Sequence, residues 1–486
     1  MFLSQEENLA MLVDFYEFTM ANGYLEHGLG DRIACFDMFF RNVPDGGGFA
    51  IAAGLEQVID YLKNLHFSDS DIAVLEEKKL FSKAFLDYLR DFKFVCDVWA
   101  IPEGTPIFPR EPILKVKGPV IQAQLVETVI LLTINHQSLI ATKSNRIVRA
   151  AKGRPVMEFG GRRAQGYSGS LMGSRAAYIG GCAGTACTIS QKLFGIPALG
   201  TMAHSWVQMF DTELDAFRAY AQTYPSDCTL LVDTYNVLKS GIPNAIRVFN
   251  EELVPKGFRP KGVRIDSGDI AYLSKKMRKM LDDAGFPDCG IVASNSLDEY
   301  IIEDMWSQGA PISSFGVGER LITSSSEPVF GGVYKLVAVE DEQGKEIPKI
   351  KISENPEKVT VPCSKRVIRF FEKDTKKAIA DLLVLEDEVI DENQPYELFS
   401  PEYVWKRKTI TDFVAVELLK PVFVKGECVY ESPNLHEIKA YCAEQVDTLW
   451  DEVKRFENPH TYYVDFSQKL WDVRERLLHP KREEKA

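Results

Sequence analysis

The stretch Val263-Arg264-Ile265-Asp266-Ser267-Gly268-Asp269 is an apolar run that ends in polar residues directly before a helical pattern. Successive side chains of a strand alternate between its two faces, so Arg264 and Asp266 point the same way. The next residues turn the chain, and Asp269 is placed to cap a helix over 270–284. The stretch therefore predicts a strand-turn-helix unit whose charged residues lie at the end of the strand.

The same rhythm recurs from about residue 155 to about residue 335. Short apolar runs end in small or polar residues at Phe159-Gly160-Gly161-Arg162-Arg163, Ile179-Gly180-Gly181, Gly200-Thr201, Val232-Asp233-Thr234, Ile265-Asp266-Ser267-Gly268-Asp269, Ala293-Ser294-Asn295 and Phe315-Gly316-Val317-Gly318. Repeated strand-then-helix units favour parallel strands joined by right-handed crossovers. Because seven or eight such units close into a barrel, we predict an α/β fold with an irregular TIM-like β/α barrel. A doubly wound open sheet is the alternative.

The chain of 486 residues is too long for one ordinary domain. We divide it into an N-terminal α/β domain over 1–118, a β/α barrel catalytic domain over 119–338 and a C-terminal segment over 339–486. We expect the C-terminal segment to pack back on the N-terminal domain, so that the two build an additional α/β domain. Within these parts we predict strands at 95–100 and 113–117, a helix over 14–20, one long or two joined helices over 123–151, and late helices near 435–455 and 465–478.

Composition limits the class of protein and its partners. Hydrophobic residues make up 45% of the chain and charged residues 26%, which is the balance of a globular protein with a sizeable core. The net charge of −13 argues against non-specific binding of nucleic acid, which needs a basic face. It does not exclude anionic small substrates, because the field of a local pocket can oppose the global charge.

Targeting and cysteine signals point to the cytoplasm. No stretch approaches the ~20 apolar residues needed to span a bilayer, and the acidic start Met1–Glu7 lacks the parts of a secretory signal. The nine cysteines include no Cys-x-x-Cys pair, so buried reduced thiols are favoured over zinc or disulfide chemistry. We expect a cytoplasmic protein without membrane or nucleic-acid partners, and a frayed charged end at 481–486.

Polar side chains cluster at the predicted strand ends. They are Arg162, Arg163, Thr201, His204, Asp233, Arg264, Asp266, Asp269, Ser294, Asn295, Glu319 and Arg320. Charged groups are costly where strands meet a packed core, and the loops after barrel strands build the active site. Arg264 and Asp266 would hold a ribose or a metal there, whereas the structural alternative is an ion pair that closes the barrel rim. Their position at a strand end favours the site.

Three further features each allow a functional and a structural interpretation. Phe315-Gly316-Val317-Gly318-Glu319 either lets backbone N–H groups converge on a phosphate or forms a tight turn. Tyr16, Met20 and Tyr24 lie in a row on a helix and either present a ring to a flat heterocycle or pack in the core. His204 is a structural residue, a general base, a phosphate carrier or a metal ligand. Metal binding is disfavoured because His, Cys and Asp do not recur at ligand spacing.

Seven segments together resemble the nicotinate phosphoribosyltransferase family, and their order matches as well. The segments are Asp14-Phe15-Tyr16-Glu17-Phe18-Thr19-Met20, Phe159-Gly160-Gly161-Arg162-Arg163-Ala164-Gln165-Gly166, Gly200-Thr201-Met202-Ala203-His204-Ser205, Leu231-Val232-Asp233-Thr234-Tyr235, Arg264-Ile265-Asp266-Ser267-Gly268-Asp269, Phe315-Gly316-Val317-Gly318 and Gly332-Val333-Tyr334-Lys335-Leu336-Val337. Each motif alone is modest, but the ordered set is highly specific. The resemblance is clearest over about residues 10–370.

The resemblance implies an enzyme of NAD salvage that condenses nicotinate with 5-phosphoribosyl 1-pyrophosphate to nicotinate mononucleotide and pyrophosphate. It implies coupling to ATP hydrolysis through a phosphohistidine at His204, with Mg²⁺ as cofactor. Tyr16 would stack on the pyridine ring, and Arg264 and Thr201 would bind near the nicotinate carboxylate. The family also implies a homodimer, in which we expect the Tyr16 helix near the barrel of the neighbouring subunit.

The same resemblance assigns the remaining substrate contacts. Gly318 and Glu319 would hold the ribose 5-phosphate, and Glu319 stands where the family usually has a small hydroxylated residue. Because an acid beside a phosphate is unfavourable, we expect its carboxylate to point away or to bind through Mg²⁺. Another departure is Cys363, which stands where the family has glycine. The further expected substrate-binding residues are Arg162, Arg163, Ser205 and Gly316, of which the two arginines suit a bidentate grip on anionic oxygens.

The chemistry of the implied reaction fits these residues. Bond formation at the anomeric carbon passes through an oxocarbenium-like state, which carboxylates stabilise. Asp233, Asp266 and Asp269 are the catalytic candidates beside His204, directly or through Mg²⁺ on the pyrophosphate. A phosphate on His204 would add a dianion that reorders nearby loops and changes substrate affinity.

Three rival functions stay open on the same fold. A nicotinamide-using relative would need an acidic residue in the loop Thr201-Met202-Ala203, which has none. A decarboxylating quinolinate enzyme would need extra basic residues for a second carboxylate and no ATP. A non-catalytic binding protein is also possible, because fold does not guarantee activity, but the intact polar strand ends argue against it.

Overall fold

A computed structural model describes residues 8–479 of the chain, so the acidic start and the charged end at 481–486 lie outside the described residues. The described residues divide into two compact units. The terminal unit runs up to Leu139 and resumes at Val329, and the central unit is Ile140–Pro328. Residues 119–139 and 329–338 therefore belong with the chain ends, whereas the sequence-based division assigns them to the barrel domain.

The observed helices agree with the predicted ones where the helical pattern of apolar residues extends over many residues. They are α1 Phe15–Glu26, α2 Leu55–Asn64, α3 Asp69–Glu77, α4 Lys83–Arg90, α5 Val120–Leu125, α6 Glu127–Ala150, α7 Gly166–Ile179, α8 Thr188–Phe194, α9 His204–Gln208, α10 Glu213–Thr223, α11 Ile242–Val248, α12 Ile270–Asp283, α13 Glu299–Ser307, α14 Glu319–Ile322, α15 Leu435–Asp447 and α16 Gln468–Leu478. The predicted helices near 14–20, 123–151, 270–284 and 465–478 are confirmed, the second as two joined helices, whereas the helix predicted near 435–455 ends at Asp447.

The strands are short and number more than the sequence pattern indicates. They are β1 Ile33–Phe39, β2 Ala50–Ile51, β3 Asp97–Ala100, β4 Pro106–Ile107, β5 Leu114–Pro119, β6 Val156–Glu158, β7 Gly184–Thr185, β8 Thr229–Leu231, β9 Gly262–Ile265, β10 Gly290–Asn295, β11 Ser314–Val317, β12 Val333–Glu340, β13 Glu346–Pro348, β14 Lys365–Glu372, β15 Ala378–Leu385, β16 Tyr396–Phe399, β17 Arg407–Ile410, β18 Phe413–Glu417, β19 Lys420–Val424, β20 Glu427–Cys428 and β21 Val464–Phe466.

The terminal unit contains two main sheets. A seven-stranded antiparallel sheet has the order β13-β12-β1-β5-β3-β19-β20 and so combines strands from both ends of the chain. Because β12 pairs with β1 along its length, residues 333–340 are part of this sheet. A second sheet has the order β18-β14-β15-β21 and carries an apolar core around Phe370, Leu382 and Phe413.

The central unit is built on a parallel sheet of order β7-β6-β11-β10-β9-β8. Val263, Ile265, Ile291, Ala293 and Phe315 are all fully buried in it. Parallel strands covered on both faces read as apolar runs, which is why the sequence rhythm predicts them. Their carboxyl ends lie at one edge of the sheet, and that edge carries the polar residues that follow each run.

A closed barrel is not confirmed. Within the described residues the sheet is open, and only one isolated parallel bridge, Thr185 to Ala198, extends it beyond β7. Pro197 lacks an N–H donor, and a proline is tolerated in a sheet only at an edge or a bulge. The structure therefore shows a mixed α/β fold with a parallel sheet and helices.

Two of the seven predicted strand ends do not follow a strand. Gly200-Thr201 follows only the isolated bridge at Ala198. Ile179-Gly180-Gly181 is the end of helix α7 and the turn after it, and the strand follows at β7. A short run of small apolar residues fits a buried helix as well as a buried strand. Gly180 is required there by packing, because a Cβ at this position would lie 2.5 Å from the carbonyl oxygen of Ala141.

One helical stretch contradicts the expectation that no segment is long and apolar enough to span a bilayer. Val120–Ala150, which joins α5 and α6, is long and apolar enough to cross a membrane by length and composition. However, 67% of its most apolar window is buried inside the protein, as in the core helix of a globular fold. The apolar length of this stretch is accounted for by burial.

Candidate active site

His204 lies at the first residue of the short helix α9, between the ends of two parallel strands. Its Nδ1 is 3.0 Å from the hydroxyl of Thr234, which follows β8. Its Nε2 is 4.0 Å from Oδ2 of Asp266, which follows β9. The ring is 40% exposed, so it is held by two strand ends and remains open to a reactant.

Asp266, Ser294 and Arg264 form a connected set beside the histidine. The Ser294 hydroxyl donates to Oδ1 of Asp266 at 2.6 Å, and Nε of Arg264 donates to the same hydroxyl at 2.9 Å. Nη2 of Arg264 lies 3.5 Å from Oδ1 of Asp266. The prediction that Arg264 and Asp266 share a face of the strand is therefore confirmed.

The guanidinium of Arg264 also holds the loop that leads to the histidine. Nη1 donates to the hydroxyl of Thr201 and to the carbonyl of Met202, each at 3.2 Å. The ring of Phe159 lies 5.8 Å from its central carbon, a favourable distance for a cation over an aromatic face. Most of the charged fork is thereby fixed in direction, and Nη2, whose contact with Asp266 is the longest at 3.5 Å, is the group with donors to share with an anionic ligand.

Asp233 fastens the turn after β9. Its Oδ2 accepts from the backbone N–H of Asp266 at 2.9 Å and from the hydroxyl of Ser267 at 2.6 Å. Its Oδ1 is buried and has no hydrogen-bond partner among the described residues. A buried carboxylate oxygen without a partner is costly, so this atom is suited to a donor or cation that arrives with a substrate.

Asp269 occupies a different position from the other two acids. Its Oδ1 accepts from the backbone N–H of Tyr272 at 2.9 Å, and it is the N-cap of α12. The side chain is exposed, and its one hydrogen bond among the described residues is this cap. The structure gives Asp269 the capping position that the sequence predicts.

The glycines at the end of β11 are explained partly by packing. A Cβ at Gly316 would lie 2.6 Å from the ring of Phe159, so the strand needs glycine beside this ring. Gly318 precedes the one-turn helix α14, and its carbonyl oxygen would lie 2.5 Å from a Cβ at Gly160. The two loops that end β6 and β11 thus approach backbone to backbone, which requires glycine at position 160.

Glu319 begins α14 and is tied to neighbouring loops. Its Oε1 accepts from the hydroxyl of Ser296 at 2.9 Å, and its Oε2 lies 4.0 Å from Nε of Arg163. Arg162 and Arg163 are exposed in the turn Gly161–Arg163 that follows β6. The acid therefore lies next to one of the two cations that the sequence assigns to anionic oxygens.

A buried acid that sequence reasoning missed anchors this arginine loop. Glu158, fully buried, accepts hydrogen bonds from the Gly160 backbone N–H, from the Thr185 hydroxyl at 2.6 Å and from the Ser174 hydroxyl at 3.3 Å. Burial raises the pKa of its carboxyl, and these hydrogen bonds oppose the rise. The signal was available, because an acid at the end of the apolar run Val156-Met157-Glu158 is unusual.

Tyr16 and Ser205 are the remaining predicted substrate residues. Tyr16 lies on α1 in the terminal unit, where burial and the nearby Glu127 raise the pKa of its phenol. It is 45% exposed. Ser205 is exposed on α9, and its hydroxyl forms no hydrogen bond within residues 8–479.

Comparison with known proteins decides the family. Family models match over most of the chain: the nicotinate phosphoribosyltransferase N-terminal domain at residues 11–135, the nicotinate phosphoribosyltransferase family at 155–392 and its C-terminal domain at 364–474. A nicotinate phosphoribosyltransferase of Bacillus subtilis is 42% identical over 475 residues, covering 98% of this chain and 96% of that protein. The chain belongs to the nicotinate phosphoribosyltransferase family.

Further relatives agree with this membership. A nicotinate phosphoribosyltransferase of Mycobacterium tuberculosis is 37% identical over 472 residues, covering 97% of this chain and 94% of that protein. The crystal structure of human nicotinic acid phosphoribosyltransferase matches with a TM-score of 0.84 at 29% identity, covering 96% of this chain and 99% of the human one. As a nicotinate phosphoribosyltransferase family member, the chain is an enzyme, and the scaffold alternative is set aside.

The acids of the site fit a metal only in combination with a substrate. Among the described residues, no group of three or more His, Cys, Asp and Glu side chains could hold a metal ion. Mg²⁺ in phosphate-handling enzymes is usually held by one or two carboxylates and the oxygens of the substrate. Asp233, with its unpartnered Oδ1, and Asp266 fit that pattern.

Most of the residues that sequence reasoning missed are small hydroxylated ones. Thr234, Ser267 and Ser296 bind His204, Asp233 and Glu319 respectively. Each lies at a strand end, beside a residue that the sequence does single out. Hydroxyl groups both donate and accept, so they link charged groups without adding charge, but such residues are too common in turns to be distinguished by type alone.

Proposed function

We propose that this enzyme condenses nicotinate with 5-phosphoribosyl 1-pyrophosphate to nicotinate mononucleotide and pyrophosphate, coupled to ATP hydrolysis through a phosphohistidine at His204. One observation carries the proposal. The ring of His204 lies between Thr234 and Asp266, at the edge of the sheet where Arg264 holds the loop through Thr201. A nucleophilic nitrogen, an acid and an anion-binding cation therefore lie together at one edge of the sheet.

The substrates are assigned to the residues by charge. The remaining donors of Arg264, with the hydroxyl of Thr201, suit the nicotinate carboxylate. Arg162 and Arg163 are exposed and suit the pyrophosphate or the 5-phosphate oxygens. The family resemblance assigns Gly316 and Gly318 to the same phosphate, and Gly318 directly precedes helix α14. The family resemblance adds Tyr16 as the ring under the pyridine and Ser205 as a further contact.

The acids stabilise the transition state. Charge develops on the ribose as the bond to pyrophosphate breaks and the pyridine nitrogen attacks the anomeric carbon. Asp266 and Asp233 lie at adjacent strand ends and stabilise that positive charge. Mg²⁺, when bound, neutralises the leaving pyrophosphate. Asp269 acts in this scheme by fixing the turn that carries Asp266, through its cap of α12.

A product assay with and without ATP tests the proposal. The expected result is formation of nicotinate mononucleotide that ATP stimulates, with a His204→Ala variant that keeps slow ATP-independent synthesis and loses the stimulation. Undiminished ATP stimulation in the variant would overturn the role of His204. Faster turnover of nicotinamide than of nicotinate, or release of CO₂ from quinolinate, would replace the substrate assignment.

We also propose a cytoplasmic homodimer. Phe15, Tyr16 and Met20 are large apolar side chains on α1 that are each more than a third exposed, and a two-fold interface is the commonest way to cover such a face. All nine cysteines are free and seven of them are buried, as expected in a reducing compartment.

The fold is also proposed to be an irregular TIM-like barrel whose seam is closed by side chains instead of a backbone ladder. The support is the bond between His204 and Thr234 and the bond between Arg264 and Thr201. His204 and Thr201 both follow the isolated bridge at Ala198. Their partners are at the other side of the sheet, since Thr234 follows β8 and Arg264 lies on β9.

A further inference from the structure

The terminal unit contains a cavity of about 800 Å³ that the proposed chemistry does not use. It is lined by residues of β15, β16, β17 and β21, by the loop between β16 and β17, and by Arg41 and Arg110. Its volume lies in the range of pockets for small molecules and cofactors. All of its lining residues belong to the terminal unit, and none of them is a residue of the histidine cluster.

The floor of the cavity is rigid. Tyr462 lines it, stacks on Phe108 at 3.8 Å between ring centres, and donates its hydroxyl to Oδ1 of Asp381 at 3.1 Å. Asp381 also takes two hydrogen bonds from the fully buried Arg369, at 2.7 and 2.6 Å. A buried, bidentate ion pair under the floor keeps the cavity in one shape before any ligand arrives.

The lining of the cavity holds five cations and two acids, although the protein as a whole carries −13. Arg41, Lys406 and Lys408 line the cavity, and none of the three is paired with a carboxylate within residues 8–479. Nζ of Lys406 lies 4.4 Å from the ring centre of Tyr403, and Nε of Arg41 donates only to a backbone carbonyl. Unpaired cations in a concave wall create a local field for an anion.

A buried acid on β21 also lines the cavity. Asp465 lines the cavity, is 6% exposed, and has no hydrogen bond or ion pair to its carboxylate in the described part of the chain. Burial raises its pKa to about 6, so the carboxylate is largely ionised at neutral pH. Because a buried carboxylate without a donor is costly, Asp465 is suited to a ligand that brings hydroxyl or amino groups.

An aromatic residue completes the set. Trp405 lines the cavity with 72% of its surface exposed, and its ring meets Tyr403 at 5.4 Å edge to face. The outer face of such an indole is a stacking surface for a flat heterocycle. A tryptophan this exposed is unusual on a globular protein and marks a binding surface.

We propose that this cavity binds a nucleoside di- or triphosphate, with the base on Trp405 and the ribose hydroxyls on Asp465. The phosphates lie against Arg41, Lys406 and Lys408. The three parts of a nucleotide need a stacking ring, an acceptor for vicinal hydroxyls and a cluster of cations, and carboxylates elsewhere bind ribose in this way. The proposal concerns a second site and does not depend on the reaction at His204.

The test follows Trp405 while ADP is added to the full-length protein. The fluorescence change that belongs to Trp405 is the difference between the unchanged protein and a Trp405→Phe variant. We expect a saturable change, and a dissociation constant at least about ten-fold higher in a Lys406→Ala/Lys408→Ala variant, because two charge-assisted contacts are lost. The matched control is Lys63→Ala/Lys93→Ala, which removes the same charge from exposed lysines that do not line the cavity.

Two further arms separate this site from the histidine site. Asp465→Asn should weaken ADP about five-fold and leave displacement by inorganic pyrophosphate unchanged, because pyrophosphate has no ribose. His204→Ala should leave the Trp405 signal intact. The proposal is overturned if Trp405 gives no saturable change, if the lysine pair and its control behave alike, or if the signal disappears in the His204 variant. An absence of nicotinate mononucleotide synthesis would contradict only the proposed reaction.

Discussion

Thr234 holds Nδ1 of His204 at 3.0 Å, and this leaves Nε2 as the nitrogen that faces Asp266. If phosphate is carried on Nε2, the hydroxyl of Thr234 orients the ring without touching the transferred group. Thr234→Val removes the hydroxyl and keeps the shape. We predict that ATP-stimulated synthesis falls about five-fold, while ATP-independent synthesis is unchanged. A five-fold loss corresponds to about 1 kcal/mol, the usual contribution of one hydrogen bond.

The matched control for Thr234→Val is Thr234→Ser, which keeps the hydroxyl and should keep the stimulation. Steady-state rates with and without ATP measure both variants. Equal loss of the two rates in Thr234→Val would mean that the threonine supports the strand end and not the histidine.

Glu319 is a second residue whose charge should affect substrate binding. Its carboxylate accepts from Ser296 and lies 4.0 Å from Arg163, so it competes with any phosphate for that cation. Glu319→Gln keeps the size and the hydrogen-bonding oxygen and removes the charge. We predict a KM for phosphoribosyl pyrophosphate that is about three- to ten-fold lower, since like charges near a surface interact by about 1 kcal/mol.

Initial rates against phosphoribosyl pyrophosphate concentration measure the effect of Glu319→Gln. The control is Glu303→Gln, an exposed glutamate on α13 outside the strand-end cluster. A KM that rises in Glu319→Gln would show that the acid helps to bind the substrate, through a metal or a water, and would sink the competition argument.

At the scale of elements, helix α1 carries a buried acid that links its stability to pH. Glu17 is fully buried, accepts from the Thr128 hydroxyl at 2.5 Å, and has an Oε2 without a partner in the described residues. Burial raises its pKa from 4.5 to about 7. Because the folded protein binds this proton more tightly than the unfolded chain, Glu17 contributes to the free energy of unfolding. The contribution is fully present below about pH 4.5 and is lost as the pH rises through about 7.

Glu17→Gln should remove this loss. We predict that the variant is more stable than the unchanged protein by about 1–3 kcal/mol at about pH 8, with a smaller difference at about pH 5. Urea unfolding at the two pH values measures the difference. Glu76→Gln, at an exposed position on α3, is the control. A variant that is destabilised equally at both pH values would mean that packing, not ionisation, dominates at this site.

The elements that sequence predicts well are those whose signals are local. Asp269 and the helix after it follow from an N-cap signal within a few residues, and the shared face of Arg264 and Asp266 follows from strand alternation. The bond between His204 and Thr234 spans 30 positions of the chain and is set by strand packing, so no local pattern shows it. The prediction of a strand end at Ile179-Gly180-Gly181 is wrong because small apolar residues are equally compatible with a buried helix, which is what forms there.

At the scale of the whole molecule, the division into units leaves the predicted site residues in two groups. Tyr16 belongs to the terminal unit, whereas His204, Arg264 and Asp266 belong to the central unit. Both large sheets form by pairing strands that are distant along the chain. In the seven-stranded sheet, for example, β1 pairs with β12, about 300 residues away. Periodicity predicts the strands there, but it carries no information about which strands pair.

Whether Tyr16 serves the histidine of its own chain or of a partner chain can be decided by complementation. In the proposed homodimer, Tyr16→Ala and His204→Ala chains are co-expressed with different affinity tags. If Tyr16 acts across the interface, each mixed dimer regains one intact site, because one subunit supplies His204 and the other supplies Tyr16. Random pairing would then restore about a quarter of the ATP-stimulated activity, since about half of the dimers are mixed and each has one site of two.

Isolation of the mixed dimer through both tags and assay of nicotinate mononucleotide synthesis completes the test. If Tyr16 acts within its own chain, every site in the mixed dimer lacks one of the two groups and activity stays at the level of the single variants. A mixture of His204→Ala with Thr234→Val chains is the control, because Thr234 bonds to the histidine of its own chain. That mixture should show no recovery beyond the contribution of the Thr234→Val chains under either arrangement. Recovery confined to the tyrosine pair therefore reports the placement of α1 and not a general effect of mixing.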